Sequence, residues 1–207
     1  MKTASGARMI ADVGRWIILW RFLAAMPVLA QAGAANSNLW PVHRDTVAAF
    51  RVSYPPGWTV VPPKGTNVRF SVSPVDGPGN CNVVVRATPA LARMTQAELN
   101  REAEALPTSH DAWAGYVGVA PSQVVVVESR NGRVQDTPAL IAVVETSLEN
   151  LQGKYVRKAT VAMMLRPGAI VTLNCGATSF SATEAQARFA ELRPTFDKVF
   201  GSFTFLK

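Results

Sequence analysis

The segment AFRVSYPPGWTVVPPK, Ala49 to Lys64, sets two extended runs on either side of Pro55-Pro56-Gly57. Thr46 to Tyr54, with Val47, Phe50 and Val52 as its apolar positions, is expected to be a strand. Proline fixes φ and donates no backbone hydrogen bond, while glycine permits a tight reversal, so Pro-Pro-Gly ends that strand. Trp58 to Val61 resumes as a short strand, closed in turn by Pro62-Pro63. The segment is the first corner of a β-structured domain.

Working toward the C-terminus, Val68 to Val75 and Asn82 to Thr88 have strand character. A helix then begins at Thr95, which with Glu98 forms a capping box, and Pro107 stops it. SHDAWAGYVG adds a broken helical turn. In QVVVVESRNGRVQDTPALIAVVETSL, Asn131-Gly132 is the preferred two-residue turn of a hairpin. Lys154 to Leu165 and Ala169 to Ala177 form a second hairpin across Arg166-Pro167-Gly168. Ser181 with Glu184 opens a last helix by another capping box, and Pro194 is expected to kink or break it. Strands, helix, hairpins and helix in this order predict an α+β fold, a mainly antiparallel sheet flanked by helices.

Toward the N-terminus the chain changes character. Lys2, Arg8, Arg15 and Arg21 precede a short apolar core, Phe22 to Ala30, and small residues follow at Ala30-Gln31-Ala32 and Ala32-Gly33-Ala34. This pattern predicts that residues 1–34 are a secretory signal peptide, with Met1 or Met9 as the start and the mature protein beginning between Gly33 and Asn36. Arg21 within the apolar stretch argues against a retained membrane span. Residues 35–45 then form a polar lead-in, and 46–207 a single domain.

The expected location is the periplasm or the medium. The signal removes four basic residues and Asp12, which leaves 17 basic and 13 acidic residues, a net charge of +4 rather than +7. Those charges are scattered, which argues against nucleic acid as a partner.

Cys81 and Cys175 are the two cysteines of the chain. Cys81 alternates in phase with Val83 and Val85, and Cys175 with Val171 and Leu173, so each points with an apolar strand face. In an oxidising compartment they are expected to form one disulfide, the alternative being two buried thiols. No ligand set for a metal and no cofactor motif is present in the sequence.

Ser109-His110-Asp111 holds the residue types of a hydrolase triad, but triad members converge from separate elements rather than from one loop. Gly77-Pro78-Gly79-Asn80 lacks the Lys-Ser/Thr ending of a phosphate loop and is expected to be a plain connection. Trp58, Trp113 and Tyr116 are the candidate binding residues, able to line a groove or to pack as a satellite cluster. Trp40 could serve as an exposed anchor.

The run F-x-V-x-Y-P followed by P-G-W, here Phe50, Val52, Tyr54, Pro55, Gly57 and Trp58, resembles the start of the PsbP-like superfamily. That superfamily includes the photosystem II extrinsic P-subunit and bacterial DcrB-type proteins. The ending F-x-x-V-F-x-S-F, Phe196 to Phe203, is similar to its close. The resemblance implies an α/β/α sandwich and an accessory, binding or assembly role without a shared catalytic site. The expectation is an exported, non-enzymatic module that binds an envelope protein. Small-ligand binding in the periplasm and an envelope hydrolase are the alternatives.

Overall fold

The computed structural model describes residues 39–206 except Lys64, Gly118, Val119, Leu151 and Gln152. The expected signal peptide, its cleavage point and the start of the lead-in lie outside these residues. Among them no helix is long and apolar enough to cross a membrane.

Strand β1 (Val42–Asp45) pairs antiparallel with β2 (Phe50–Ser53), and β2 pairs on its other side with β10 (Thr204–Phe205). A seven-stranded sheet contains β3 (Trp58–Val60), β4 (Val68–Pro74), β5 (Gly79–Ala87), β6 (Val124–Val134), β7 (Thr137–Asn150), β8 (Gly153–Arg166) and β9 (Ala169–Ser179). Its order is β3-β4-β5-β9-β8-β7-β6, with every pairing antiparallel. Helix α3 (Ala182–Ser202) packs with the small sheet on one face. Helices α1 (Gln96–Ala105) and α2 (His110–Val117) pack on the other. The architecture is the expected antiparallel α+β sandwich.

Pro55-Pro56-Gly57 does more than end a strand. Gly57 takes φ +81°, a left-handed conformation that costs glycine nothing, and the Trp58 amide closes the turn on the Pro55 carbonyl at 3.2 Å. The corner thereby hands the chain from the small sheet to the large one. The two ends that carry the PsbP-like resemblance meet here. Phe50 stacks on Phe203 with ring centroids 5.5 Å apart, and the Ser53 amide donates to Ser202 Oγ at 2.9 Å. Trp58 meets Phe196 edge-on at 6.4 Å. Motifs about 150 residues apart in the chain are one packing unit (|i−j| = 149 for the Ser53–Ser202 bond).

Several expectations are corrected. The end of the polar lead-in, Val42–Asp45, is a strand, and Thr46 to Ala49 is a turn rather than the start of the next strand. Asp45 Oδ1 accepts from the Val47 and Ala48 amides at 2.9 and 2.8 Å and so holds the turn, leaving Val47 exposed. Composition hid β1 because its inward residues are His43 and Asp45 rather than aliphatic ones.

The hairpin between β6 and β7 turns at Gln135-Asp136, not at Asn131-Gly132. A turn at Asn131-Gly132 would set Arg130 opposite Arg133, two like charges across the strands. It would also pair Thr146 with Val117, which belongs to α2. In the observed register Asn131 Nδ2 instead donates at 2.6 Å to the Glu104 carbonyl at the end of α1. Gln135 takes φ +50° and donates to the Gly201 carbonyl at the end of α3.

Helix α3 runs unbroken through Pro194. Pro194 lies on the exposed side, where water reaches the carbonyl that the missing N–H leaves free. Its N-terminus also makes only half of the expected capping box. Ser181 Oγ accepts from the Glu184 amide at 3.2 Å, but the Glu184 carboxylate turns to Ser179 and Arg188.

The capping box of α1 is complete. Thr95 Oγ1 accepts from the Glu98 amide at 3.3 Å, and Glu98 Oε2 accepts from the Thr95 amide at 2.7 Å. Thr95→Ala is expected to cost about 1 kcal/mol, read by urea unfolding with the slope unchanged.

His43 makes the stability of the small sheet sensitive to pH. Its ring stacks on Phe70 at 4.5 Å, and its buried Nε2 has no partner among the described residues. Burial holds its pKa below the ordinary histidine value, against the opposing pull of Asp45. The unfolded chain then binds more protons than the folded one below about pH 6.5, so this group makes stability fall as the pH drops from there. His43→Phe is expected to remove that slope between pH 7 and 5 in urea titrations. His110 has the opposite sign, its pKa being raised by the Val124 carbonyl and then by Asp111. Its contribution is full below about pH 6.5 and fades as the pH rises through its folded pKa, so the two histidines can be told apart.

Candidate functional site

The period of two along a strand sends alternate residues to opposite faces, and the central strands use this to build two different surfaces. On β5 and β9, Cys81, Val83, Leu173 and Cys175 face α3 and are completely buried. Cys81 lies directly opposite Cys175, their Cα atoms 4.1 Å apart, and the two are joined by a disulfide.

The other face carries Asn80, Asn82, Thr172, Asn174 and Thr178. On β8 it carries Arg157 and then Ala159, Val161 and Met163. The apolar half lies under α2, where Trp113 is completely buried and its Nε1 donates to Ser129 Oγ at 2.6 Å. The polar half extends beyond that helix.

Arg157 dominates the polar half. It stands opposite Thr178 on β9, yet its guanidinium reaches Asn80 on β5, two strands away. Asn80 is itself the register partner of Gly176 on β9, between Asn174 and Thr178. Nη1 donates to Asn80 Oδ1 and, at 3.4 Å, to Thr178 Oγ1, and Nη2 donates to Asn174 Oδ1 at 3.0 Å. Burial pushes its pKa down to about 10, so it stays charged at neutral pH. Beside it, Asn174 and Thr172 floor a cavity of about 150 Å³ walled by Trp113, Tyr116, Val117 and Met163.

The three aromatics expected as one binding set are divided by the sheet. Trp58 packs on the α3 face against Phe196, whereas Trp113 and Tyr116 lie on the opposite face, edge-to-face at 5.6 Å. Trp40 packs at the edge of the α3-side core, with Lys198 Nζ 6.0 Å from its ring centre, rather than standing free. Gly79 and Asn80, expected in a plain connection, open strand β5.

Ser109, His110 and Asp111 do not form a relay. Ser109 Oγ accepts from the Ala112 amide at 3.4 Å. His110 Nε2 donates to the Val124 carbonyl at 2.8 Å, and Nδ1 faces Asp111 Oδ1 at 3.3 Å. Neither ring nitrogen of His110 is hydrogen-bonded to Ser109 Oγ, so the histidine is not set as a base on that hydroxyl. Among the described residues no group of three or more His, Cys, Asp or Glu is placed to hold a metal ion.

Arg157 and its asparagines were not singled out from the sequence. The available signal was the asparagine beside each cysteine, Asn80 and Asn82 around Cys81 and Asn174 before Cys175, which sets a polar face behind a buried one.

No protein-family profile matches the chain, and neither does any curated protein. Among solved structures it is similar to the cyanobacterial PsbP of Synechocystis sp. PCC 6803, at 17% identity and a TM-score of 0.49, over 86% of this chain and 98% of that one. It is also similar to LpqN of Mycobacterium tuberculosis, described as involved in cell envelope biogenesis, at 11% identity and a TM-score of 0.40, over 83% and 88%.

Proposed function

We propose that the chain is an exported, non-catalytic binding module of the cell envelope that acts as an accessory to another envelope protein. The observation that carries this reading is the Cys81–Cys175 bridge, completely buried between β5 and β9. Such a bond forms and persists in oxidising compartments. The signal-like residues 1–34 agree with that location.

The carboxylates with displaced pKa values also have structural partners. Asp45 feels burial, which raises its pKa, but Arg69 and the Ala48 and Val47 amides outweigh it and hold the carboxyl low. Glu98 serves the cap of α1, and Glu184 binds Ser179 and Arg188. These groups work for the fold.

The test is fractionation of producing cells, followed by thiol counting on denatured, unreduced protein and purification of bound envelope proteins. The expected result is processed protein outside the cytoplasm, no free thiol, and one partner that binds again when both components are purified. Cytoplasmic protein with two free thiols would overturn the reading, as would turnover abolished by His110→Ala. A second reading, small-ligand binding, is favoured by the cavity under Trp113 and Tyr116.

A further inference from the structure

We propose that the sheet face beside α2 binds a small organic monoanion, its charged group at Arg157 and its apolar part in the cavity under Trp113 and Tyr116. This rests on the reading of the chain as a binding module and gives that module a ligand class.

The first argument is charge. Arg157 is a partly buried cation whose hydrogen-bond partners among the described residues, Asn80, Asn174 and Thr178, are all neutral. Charges drawn out of water are ordinarily paired, because the field of an unpaired one is less fully compensated the less water surrounds it. A guanidinium carries five N–H donors, and the three contacts leave two without a partner among the described residues. A carboxylate accepts from such a fork with both oxygens.

The second argument is the neighbouring shape and polarity. Asn174 belongs to both parts of the site, accepting from Arg157 and lining the cavity. The cavity, about 150 Å³, matches in size one known to hold benzene in another protein, so it suits a single ring or a short acyl chain. Asn82 lies directly opposite Asn174, and its buried Oδ1 has no partner among the described residues. A ligand hydroxyl or amide N–H would satisfy it. Arg157 supplies one positive charge, so a monoanion balances the site, whereas a phosphate dianion would leave excess negative charge among the amides.

The experiment is a titration of the exported, oxidised protein with phenylacetate, followed by the NMR signals of the Arg157 Nε–H and the Trp113 indole N–H. Both are expected to shift and saturate, with benzyl alcohol and phenyl phosphate binding at least ~10-fold more weakly. Arg157→Gln is expected to abolish the preference for the anion. Should that variant fail to fold, Asn174→Asp keeps the test open by placing a fixed carboxylate beside the guanidinium. It is expected to raise the Tm and to weaken phenylacetate binding by at least ~10-fold.

Benzyl alcohol binding as tightly as phenylacetate, an unmoved Trp113 signal, or unchanged affinity in Asn174→Asp would overturn the proposal. Tighter binding of phenyl phosphate would overturn the monoanion class. Failure of every probe while an envelope partner still binds refutes this site and leaves the binding-module reading standing. Substrate turnover would refute that reading itself.

Discussion

Replacing Cys81 and Cys175 together by alanine is expected to lower the unfolding free energy by about 4–5 kcal/mol, while the protein still folds. The bridge joins residues 94 apart, so its removal frees a long loop in the unfolded chain. In the folded state the two strands are neighbours in any case, held by a ladder from Gly79↔Ala177 to Ala87↔Ala169. The native sheet therefore keeps its register without the bond, and the effect falls mainly on the unfolded ensemble. Urea unfolding should show a lower midpoint together with a larger slope, because an uncrosslinked chain exposes more surface. A midpoint unchanged from the oxidised protein would refute the assignment of stability to this bond. Reduction of the native protein should move the curve in the same direction.

Phe196→Ala is expected to cost about 3–5 kcal/mol, the range for emptying a large aromatic site in a core. Phe196 is fully buried, meets Trp58 edge-on and lies 5.9 Å from Phe189, ring centre to ring centre. Its loss opens a hole where α3 meets the first strand of the large sheet, at the junction of the two end motifs. A control on Phe180, which is 74% exposed, should change stability by less than about 0.5 kcal/mol. The comparison is made by urea midpoints. Equal costs for the two would mean that α3 does not pack as described.

How much of this was legible in the chain depends on the range of the forces involved. The Thr95–Glu98 cap, the Pro55-Pro56-Gly57 corner and the alternation that set both cysteines on apolar faces act within a few residues, and all three stand in the structure. The hairpin turn and Pro194 were misread because local preference was outvoted from a distance. The pairing of Thr137 to Thr146 with Val124 to Val134 moved the turn to Gln135-Asp136, and solvent on the outer side of α3 allowed its proline.

The candidate site was the least legible part. Arg157 lies 77 residues from Asn80, and no pattern within either strand announces that the two meet. Trp113 and Tyr116 were visible as aromatics, but only the sheet decided that Trp58 is on the opposite face.

The sequence by itself determined the class of fold, the facing of the cysteines and the helix starts, because periodicity and capping are set by neighbouring residues. The tertiary structure alone decided the β1–β2–β10 sheet and the placement of Arg157 against Asn80, two strands away. Those depend on strand register, which is a property of pairs of segments far apart in the chain.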